Sequence, residues 1–352
     1  MAEIGELKKQ FDSYNMFDMI SSMPKHLEEG ISIGMKAGLM GLESETFNAV
    51  VLAGMGGSAI AGDLLKNLLI SDIQVPFVIQ RHYRIPRFAN KKTLVICSSY
   101  SGNTEETLSA YEDALVAGAR VIAISTGGKL AIKAITNKMP FVSVPEGFPP
   151  RAAIGYSFAT LYCILSRLGI CEYANDEIAA AAGSMRDQLY KYHPDYGENP
   201  ALSLAGKIKD RIPVIFGGQD SLDAVAARFK GQLCENAKML AFANQFPESN
   251  HNEICGWDGL KGDGNRLVAI MLKDIEDHKR IRKRFEIVST YFRDKGIDTI
   301  ELCTVEAPRI TRMFLMIQLI DFCSYYLALL NGVDPYIIKA IDFLKERLSE
   351  QD

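Results

Sequence analysis

A run of small polar residues follows a short apolar segment near residue 95 and has the composition of an anion site. Leu94–Ile96 predicts a buried strand, and a helix with acidic residues in its first turn is predicted directly after the loop. The free N–H groups at a helix N-terminus favour an anion, and hydroxyl groups add donors. This pattern suits a phosphate monoester, although an ordinary serine-rich loop is the simpler interpretation from composition alone. The loop residues concerned are Ser99, Ser101, Gly102 and Thr104.

A second loop of this kind follows another buried strand, Phe47–Ala53, and contains Gly54, Gly56, Gly57 and Ser58. Glycines after a strand can also bind a dinucleotide. However, the Gly-x-Gly-x-x-Gly spacing is not met. The next strand, Phe77–Gln80, is followed by Arg81 and His82 and not by an acidic residue that could hold a ribose. The sequence therefore disfavours a nucleotide cofactor.

Three further side chains could carry charge or move protons. Arg151 follows a proline-rich connection at the predicted start of a helix, where a positive charge opposes the helix dipole. Glu235 ends a predicted helix, and His251 lies in a polar cluster that also holds the single tryptophan. Most glutamates are solvated and most lone histidines are structural, so these residues alone do not define a reaction.

Four separated motifs together resemble one family. They are Gly-Met-Gly-Gly-Ser at 54–58, Ser-Tyr-Ser-Gly-Asn-Thr at 99–104, Pro-Arg-Ala-Ala at 150–153, and Glu-Asn-Ala-Lys with Pro-Glu-Ser-Asn-His-Asn-Glu-Ile between 235 and 254. The serine loop resembles the phosphosugar-binding loop of the sugar isomerase (SIS) fold. The full set, in this order, resembles the bifunctional phosphoglucose/phosphomannose isomerases. This resemblance covers essentially the whole chain.

The resemblance implies an isomerase that interconverts glucose 6-phosphate or mannose 6-phosphate with fructose 6-phosphate through a cis-enediol(ate), with no metal or organic cofactor. It assigns phosphate binding to Gly57, Ser58, Ser99, Ser101 and Thr104.

The same resemblance implies four catalytic residues. Glu235 is the base, and Arg151 steadies the enediolate oxygen. His251 opens the sugar ring and reaches the site from a neighbouring subunit, which implies a homodimer. Lys345, in the final helix, assists ring opening. Relatives often carry a threonine where this chain has Tyr336, so preference between glucose and mannose phosphates could differ.

Two alternatives stay open. One is a phosphosugar isomerase with a different substrate, such as a pentose or aminosugar phosphate. The other is a non-catalytic sugar-phosphate sensor. A sensor needs the serines but neither a base nor a ring-opening acid, so the pair Glu235 and His251 favours an enzyme.

Alternating strands and helices predict an α/β fold, and the resemblance implies two SIS-type subdomains, each a parallel sheet flanked by helices in three αβα layers. The predicted domains are 1–170, with N-terminal helices and the phosphate loops, and 171–352, with a linker helix, the Glu/His site and C-terminal helices. The predicted strands after the serine loop are 120–125, 141–144, 212–216, 266–272 and 299–303. The last helices are predicted near 276–294, 308–331 and 335–349.

Composition excludes several partners. A net charge of −4 gives no field that would attract nucleic acid or an anionic membrane. Seven scattered cysteines and an N-terminus without a signal-peptide pattern predict a cytoplasmic protein. Met313–Leu330 is apolar, but Gln318 and Asp321 interrupt it, so a core or interface helix is predicted rather than a membrane span.

Overall fold

The computed structural model describes residues 2–260 and 264–350, which fold into two compact units. The first-sheet unit comprises residues 22–186 and 307–314, and the second-sheet unit comprises 1–21, 187–306 and 315–352. This partition differs from a single boundary after residue 170. Helices α1 (Ala2–Phe11) and α2 (Met16–Ser21) belong to the second-sheet unit. The reason is packing, because Phe17 lies 5.3 Å from Phe322 and 5.5 Å from Tyr325 between ring centroids.

The first-sheet unit is built on five parallel strands in the order β2-β1-β3-β4-β5. Its central strands β1 and β3 are buried along their whole length, as expected where helices cover both faces of a parallel sheet. The strands are β1 Ala49–Ala53, β2 Phe77–Gln80, β3 Thr93–Ser98, β4 Arg120–Ser125 and β5 Phe141–Ser143. The helices are α3 Met23–Lys36, α4 Gly56–Leu69, α5 Glu105–Val116, α6 Gly128–Thr136, α7 Ile154–Arg167 and α8 Asn175–Gln188.

The strand order brings two loops of this unit together. The chain leaves β1 for β2 on one side and returns to β3 on the other, so β1 and β3 are neighbours with Ala53 opposite Cys97. Such a reversal of strand order opens a crevice at the carboxyl ends of the strands. The loops that follow β1 and β3 therefore meet at one edge.

The second-sheet unit has four parallel strands in the order β7-β6-β8-β9. An aromatic cluster fills its core, and the ring of Trp257 lies 4.3 Å from that of Phe292. The single tryptophan is therefore a core residue. The strands are β6 Ile212–Gly218, β7 Phe242–Phe246, β8 Leu267–Lys273 and β9 Asp298–Cys303. The remaining helices are α9 Pro200–Ile208, α10 Asp223–Glu235, α11 Lys279–Asp294, α12 Arg309–Leu330 and α13 Lys339–Ser349.

Helix α12 is the one helix of the described residues with the length and apolar content of a membrane span. Within its most apolar 18-residue window, 83% is buried inside the protein. Its polar residues Gln318 and Asp321 are also buried. This burial is that of a core helix.

A buried histidine marks the contact between α3 and α7 in the first-sheet unit. His26 is fully buried, with its ring 4.3 Å from that of Tyr156 and 4.4 Å from that of Phe148. Burial disfavours the imidazolium and lowers the pKa of His26 to about 4. In the unfolded chain this histidine titrates near its ordinary value of about 6.5.

This difference predicts acid sensitivity of the first-sheet unit. Below about pH 6.5 the unfolded chain binds a proton that the folded chain does not accept until near pH 4, so stability falls as the pH drops through this window. Between pH 7.5 and 5 the loss is about 2 kcal/mol. Urea unfolding at both pH values should show a smaller loss in His26→Gln than in the wild type. His82→Gln, at an exposed position, is the control, and identical pH profiles for all three proteins would contradict the prediction.

Candidate active site

The serine loop after β3 is a tightly braced turn. Ser99 Oγ lies 2.8 Å from Thr104 Oγ1, and the Gly102 N–H donates to the Ser99 carbonyl at 3.0 Å. Gly102 has a φ of +68°, and a Cβ placed there would lie 1.9 Å from the Gly127 carbonyl oxygen. Thr104 is at the N-cap position of α5 without a side-chain capping hydrogen bond, and Glu105 lies in the first turn. The loop thus presents a helix N-terminus and hydroxyl groups in one fixed arrangement.

The glycine loop after β1 lies directly against this turn. A Cβ at Gly54 would lie 2.8 Å from the Ser98 carbonyl oxygen, so the two loops are in backbone contact. Ser58 is buried in the first turn of α4. A Cβ at Gly57 would lie 2.7 Å from the Pro150 carbonyl oxygen. This glycine therefore allows the segment before α7 to approach the loop.

Arg151 lies in that segment, in a 3₁₀ turn over Pro150–Ala152, and is only 3% exposed. The sequence predicted this arginine at the start of a helix, where it would oppose the helix dipole. The structure differs, because Pro149 and Pro150 set a separate turn and α7 begins only at Ile154. The guanidinium of Arg151 is therefore buried beside the glycine loop and is not a surface charge at the start of α7.

These three segments make one anion-compatible edge in the first-sheet unit. The N-termini of α4 and α5 follow adjacent strands, and both carry donors suited to phosphate oxygens. Ser101 is exposed at the tip of the serine loop. Of the residues that the sequence assigned to phosphate, Gly57 and Ser58 lie on one loop and Ser99, Ser101 and Thr104 on the other. The structure brings all five to this edge.

The equivalent edge of the second sheet carries buried carboxyl groups where the first sheet carries hydrogen-bond donors. The loop after β6 also carries glycines and a serine, but a Cβ at Gly218 would lie 2.7 Å from Asp277 Oδ1. Asp277 Oδ2 accepts a hydrogen bond from the Asp274 N–H at 2.8 Å, and both aspartates are buried. Burial raises the pKa of Asp277. Carboxyl groups already occupy this edge, so it does not suit an anionic ligand.

Glu235, the candidate base, borders a cavity in the second-sheet unit. It is the last residue of α10 and is half-buried. The cavity has a volume of about 610 Å³. The end of α10 forms one wall, and the segment 333–341 forms the other. The lining residues are Cys234, Glu235, Lys238, Val333, Asp334, Ile337, Ile338, Lys339, Ala340 and Ile341.

The N-terminal segment holds the second wall of this cavity. The ring of Tyr336 stacks on Tyr14, with centroids 4.4 Å apart and planes at 16°. Ser13 Oγ donates to Asp334 Oδ2 at 2.6 Å. The family resemblance raised a sugar contact for Tyr336, and the sequence indicated no role for the N-terminal helices. No signal in the sequence connected residues 13 and 14 with residues 334 and 336.

His251 and Lys345 do not line this cavity. His251 ends a 3₁₀ turn, Glu248–His251, just after β7, and its side chain is exposed. Lys345 is exposed on α13. Within the described part of the chain, no group of three or more histidine, cysteine or acidic residues is placed to hold a metal ion. All seven cysteines lie in the described ranges and are free thiols.

Comparison with known proteins first defines the class. Over 91% of this chain and 95% of its own, tagatose-6-phosphate ketose/aldose isomerase from Escherichia coli superposes with a TM-score of 0.71 at 15% identity. A hypothetical protein from Thermus thermophilus gives a TM-score of 0.75 over 99% of this chain and 94% of its own, also at 15% identity. The fold is thus the SIS-type α/β fold of two parallel sheets flanked by helices.

Sequence comparison then defines the family. A family model described as the bacterial phospho-glucose isomerase C-terminal SIS domain matches residues 197–348. The bifunctional phosphoglucose/phosphomannose isomerase of Caldicellulosiruptor bescii is 39% identical over 95% of this chain and 99% of its own. The chain belongs to the family of bifunctional phosphoglucose/phosphomannose isomerases and is an isomerase.

Proposed function

We propose that this enzyme interconverts glucose 6-phosphate, and also mannose 6-phosphate, with fructose 6-phosphate by ring opening and a cis-enediol(ate) intermediate. The observation that carries the proposal is the 39% identity, over nearly the full length of both chains, to a bifunctional phosphoglucose/phosphomannose isomerase. The loop cluster of the first-sheet unit and the cavity beside Glu235 support it, because they offer a phosphate site and a half-buried carboxylate.

The sugar phosphate binds through the two loops of the first-sheet unit. The double variant Ser101→Ala with Thr104→Ala removes two hydroxyl groups, each worth about 1 kcal/mol or more to a charged phosphate. We expect KM to rise roughly tenfold or more, with a smaller change in kcat. Steady-state kinetics with fructose 6-phosphate measure both values. Ser109→Ala, on the body of α5, is the control. An unchanged KM in the double variant would place the phosphate elsewhere.

Proton transfer is assigned to Glu235. Its carboxylate removes the proton from C2 of the open aldose, and that electron pair forms the C1–C2 double bond while the π pair of the C1 carbonyl moves onto O1. The proton of the 2-hydroxyl passes to O1, the C2 carbonyl forms, and the carboxyl of Glu235 returns its proton to C1. Glucose and mannose phosphates differ only at C2. Rotation about C2–C3 lets both give the same enediol, so a single base serves both sugars. Arg151 stabilises the negative charge that develops on the enediolate oxygen.

Ring opening is assigned to His251 and Lys345, with His251 supplied by the second subunit of a homodimer. The exposure of His251 supports this assignment. So does α13, which exposes Phe343, Leu344 and Leu348 beside Lys345. Apolar side chains on one exposed helix fit a subunit interface. Cytoplasmic localisation is part of the proposal and fits the free cysteines.

Subunit sharing makes a separate prediction. Glu235→Gln and His251→Ala homodimers are both expected to be nearly inactive. When they are mixed, dissociated and re-associated, a heterodimer regains one site with both wild-type residues, so activity should return to a fraction of the wild-type value. Mass spectrometry verifies the heterodimer. A verified heterodimer that stays inactive would mean that both residues act within one chain.

The proposed function is tested by coupled assays with glucose 6-phosphate and mannose 6-phosphate, run separately with EDTA present. Turnover of both sugars is the expected result. Turnover of glucose 6-phosphate alone would overturn the dual specificity. If neither sugar reacts while fructose 6-phosphate still binds, the proposed reaction is wrong, and the sensor hypothesis and a different phosphosugar substrate become the alternatives to test.

A further inference from the structure

Lys238 bridges the two walls of the cavity beside Glu235. It lies just beyond α10, and its backbone is in the left-handed region with a φ of +53°. Its ammonium group donates to the carbonyl oxygens of Glu235 at 2.9 Å and Asn236 at 3.1 Å, on one wall. It also donates to the carbonyl oxygen of Asp334 at 2.5 Å, on the other wall.

The body of α10 is fixed independently of this contact. Arg228 donates to Asp321 Oδ2 at 2.6 Å and Oδ1 at 3.1 Å, and Gln232 donates to the same Oδ1 at 2.9 Å. Asn236 Nδ2 donates to Ser324 Oγ at 2.9 Å, and all five residues are buried. These bonds tie α10, and Asn236 directly after it, to α12. Glu235 is the last residue of α10 and borders the cavity.

The end of a helix leaves carbonyl groups without intrahelical partners, and a cation there interacts favourably with the helix dipole. Lys238 satisfies two such carbonyls through one ammonium group. Its third bond, to Asp334, ties the segment 333–341 to the same point. The side-chain amide of Asn331 also donates to the Ala237 carbonyl at 3.1 Å. Asn331 precedes the segment 333–341, so this bond does not hold the cavity wall itself.

We propose that Lys238 is a positioning residue that holds the last turn of α10, and with it Glu235, against the segment 333–341. The effect on catalysis rests on the proposed function, in which Glu235 is the base. The three bonds that Lys238 makes to backbone carbonyls join the two walls, so we expect its loss to displace Glu235 while the phosphate loops of the first-sheet unit stay intact. A base displaced by about 1 Å loses a large part of its rate advantage, up to about a hundredfold.

The test uses three variants of the full-length protein. Lys238→Met keeps the length and apolar stem of the side chain but removes the donors. Lys238→Arg keeps the charge and the donors. Lys230→Met, at an exposed position on α10, is the matched control. Each is measured by steady-state kinetics with fructose 6-phosphate and by amide hydrogen exchange.

For Lys238→Met we expect kcat to fall roughly tenfold or more while KM stays within about threefold. Exchange should accelerate in the peptide that covers residues 331–341, since its tie to α10 is lost, and stay unchanged in peptides from β6 and β8. Lys238→Arg should recover most of the kcat, and Lys230→Met should match the wild type in every measurement.

Unchanged exchange at 331–341 in Lys238→Met would overturn the proposal. A rise in KM without a change in exchange would also overturn it, because Lys238 would then contact the substrate. If the wild type turns over neither sugar phosphate, the proposed function fails. The exchange measurement then still decides whether Lys238 holds the two walls together.

Discussion

Glu235→Gln should lower kcat by about a thousandfold, because general-base catalysis contributes about 10²–10⁴ to a rate. The amide has almost the same shape as the carboxylate, so the half-buried side chain should still fit beside the cavity. In the proposed function the phosphate binds at the loops of the first-sheet unit and not at Glu235, so KM for fructose 6-phosphate should stay within a few-fold. A loss in kcat at constant KM is the signature of an interaction that is made in the transition state.

The control for this variant is Glu198→Gln, which removes an exposed carboxylate of the same unit at no assigned site. It should behave like the wild type. Steady-state assays in both reaction directions measure the effect. If Glu235→Gln keeps more than about a tenth of the wild-type kcat, another group removes the proton and the assignment of the base is wrong.

Gly102→Ala should cause a large loss of stability in the first-sheet unit. The left-handed backbone of Gly102 costs an alanine about 1–2 kcal/mol. In addition, the new Cβ would lie 1.9 Å from the Gly127 carbonyl oxygen, so the serine loop and the start of α6 must separate. We expect the free energy of unfolding to fall by about 3 kcal/mol or more. Because the same movement displaces Ser101 and Thr104, KM should rise.

Gly118→Ala separates the two causes. Gly118 has a nearly identical φ of +69°, but nothing lies within 4 Å of a Cβ built there. This control should lose only the backbone contribution of about 1–2 kcal/mol and keep a wild-type KM. Urea unfolding and steady-state kinetics measure both effects. Equal losses of stability in the two variants would show that the contact with Gly127 does not lower the free energy of unfolding.

Much of the fold was predictable because its signals are local. Short apolar runs predicted β2 and β4 at the bounds observed, and every other strand but β7 within a few residues. β7 was missed because Phe242–Phe246 is an edge strand with Asn244 and Gln245 at its centre, and it has neither a continuous apolar run nor alternation. The convergence of the two loops also followed from the sequence, since both come at the carboxyl ends of parallel strands.

The parts that could not be predicted depend on contacts distant in sequence. The separate turn that carries Arg151 results from two prolines and from the approach of Pro150 to Gly57. The stacking of Tyr336 on Tyr14 joins residues from opposite ends of the chain. For the same reason, the assignment of α1 and α2 to the second-sheet unit was not visible in local patterns. The roles proposed for Glu235 and His251 rest on the family resemblance, since their residue types alone fit many functions.

The most direct test of the proposed reaction is proton exchange with solvent. The purified protein is incubated with fructose 6-phosphate in D₂O, and the products are followed by NMR. An enediol intermediate with a carboxylate base predicts both glucose 6-phosphate and mannose 6-phosphate, with deuterium at C2. The absence of both aldoses would contradict the proposed function. Aldoses that form without any deuterium at C2 would contradict transfer through an exchangeable base and point to a hydride shift.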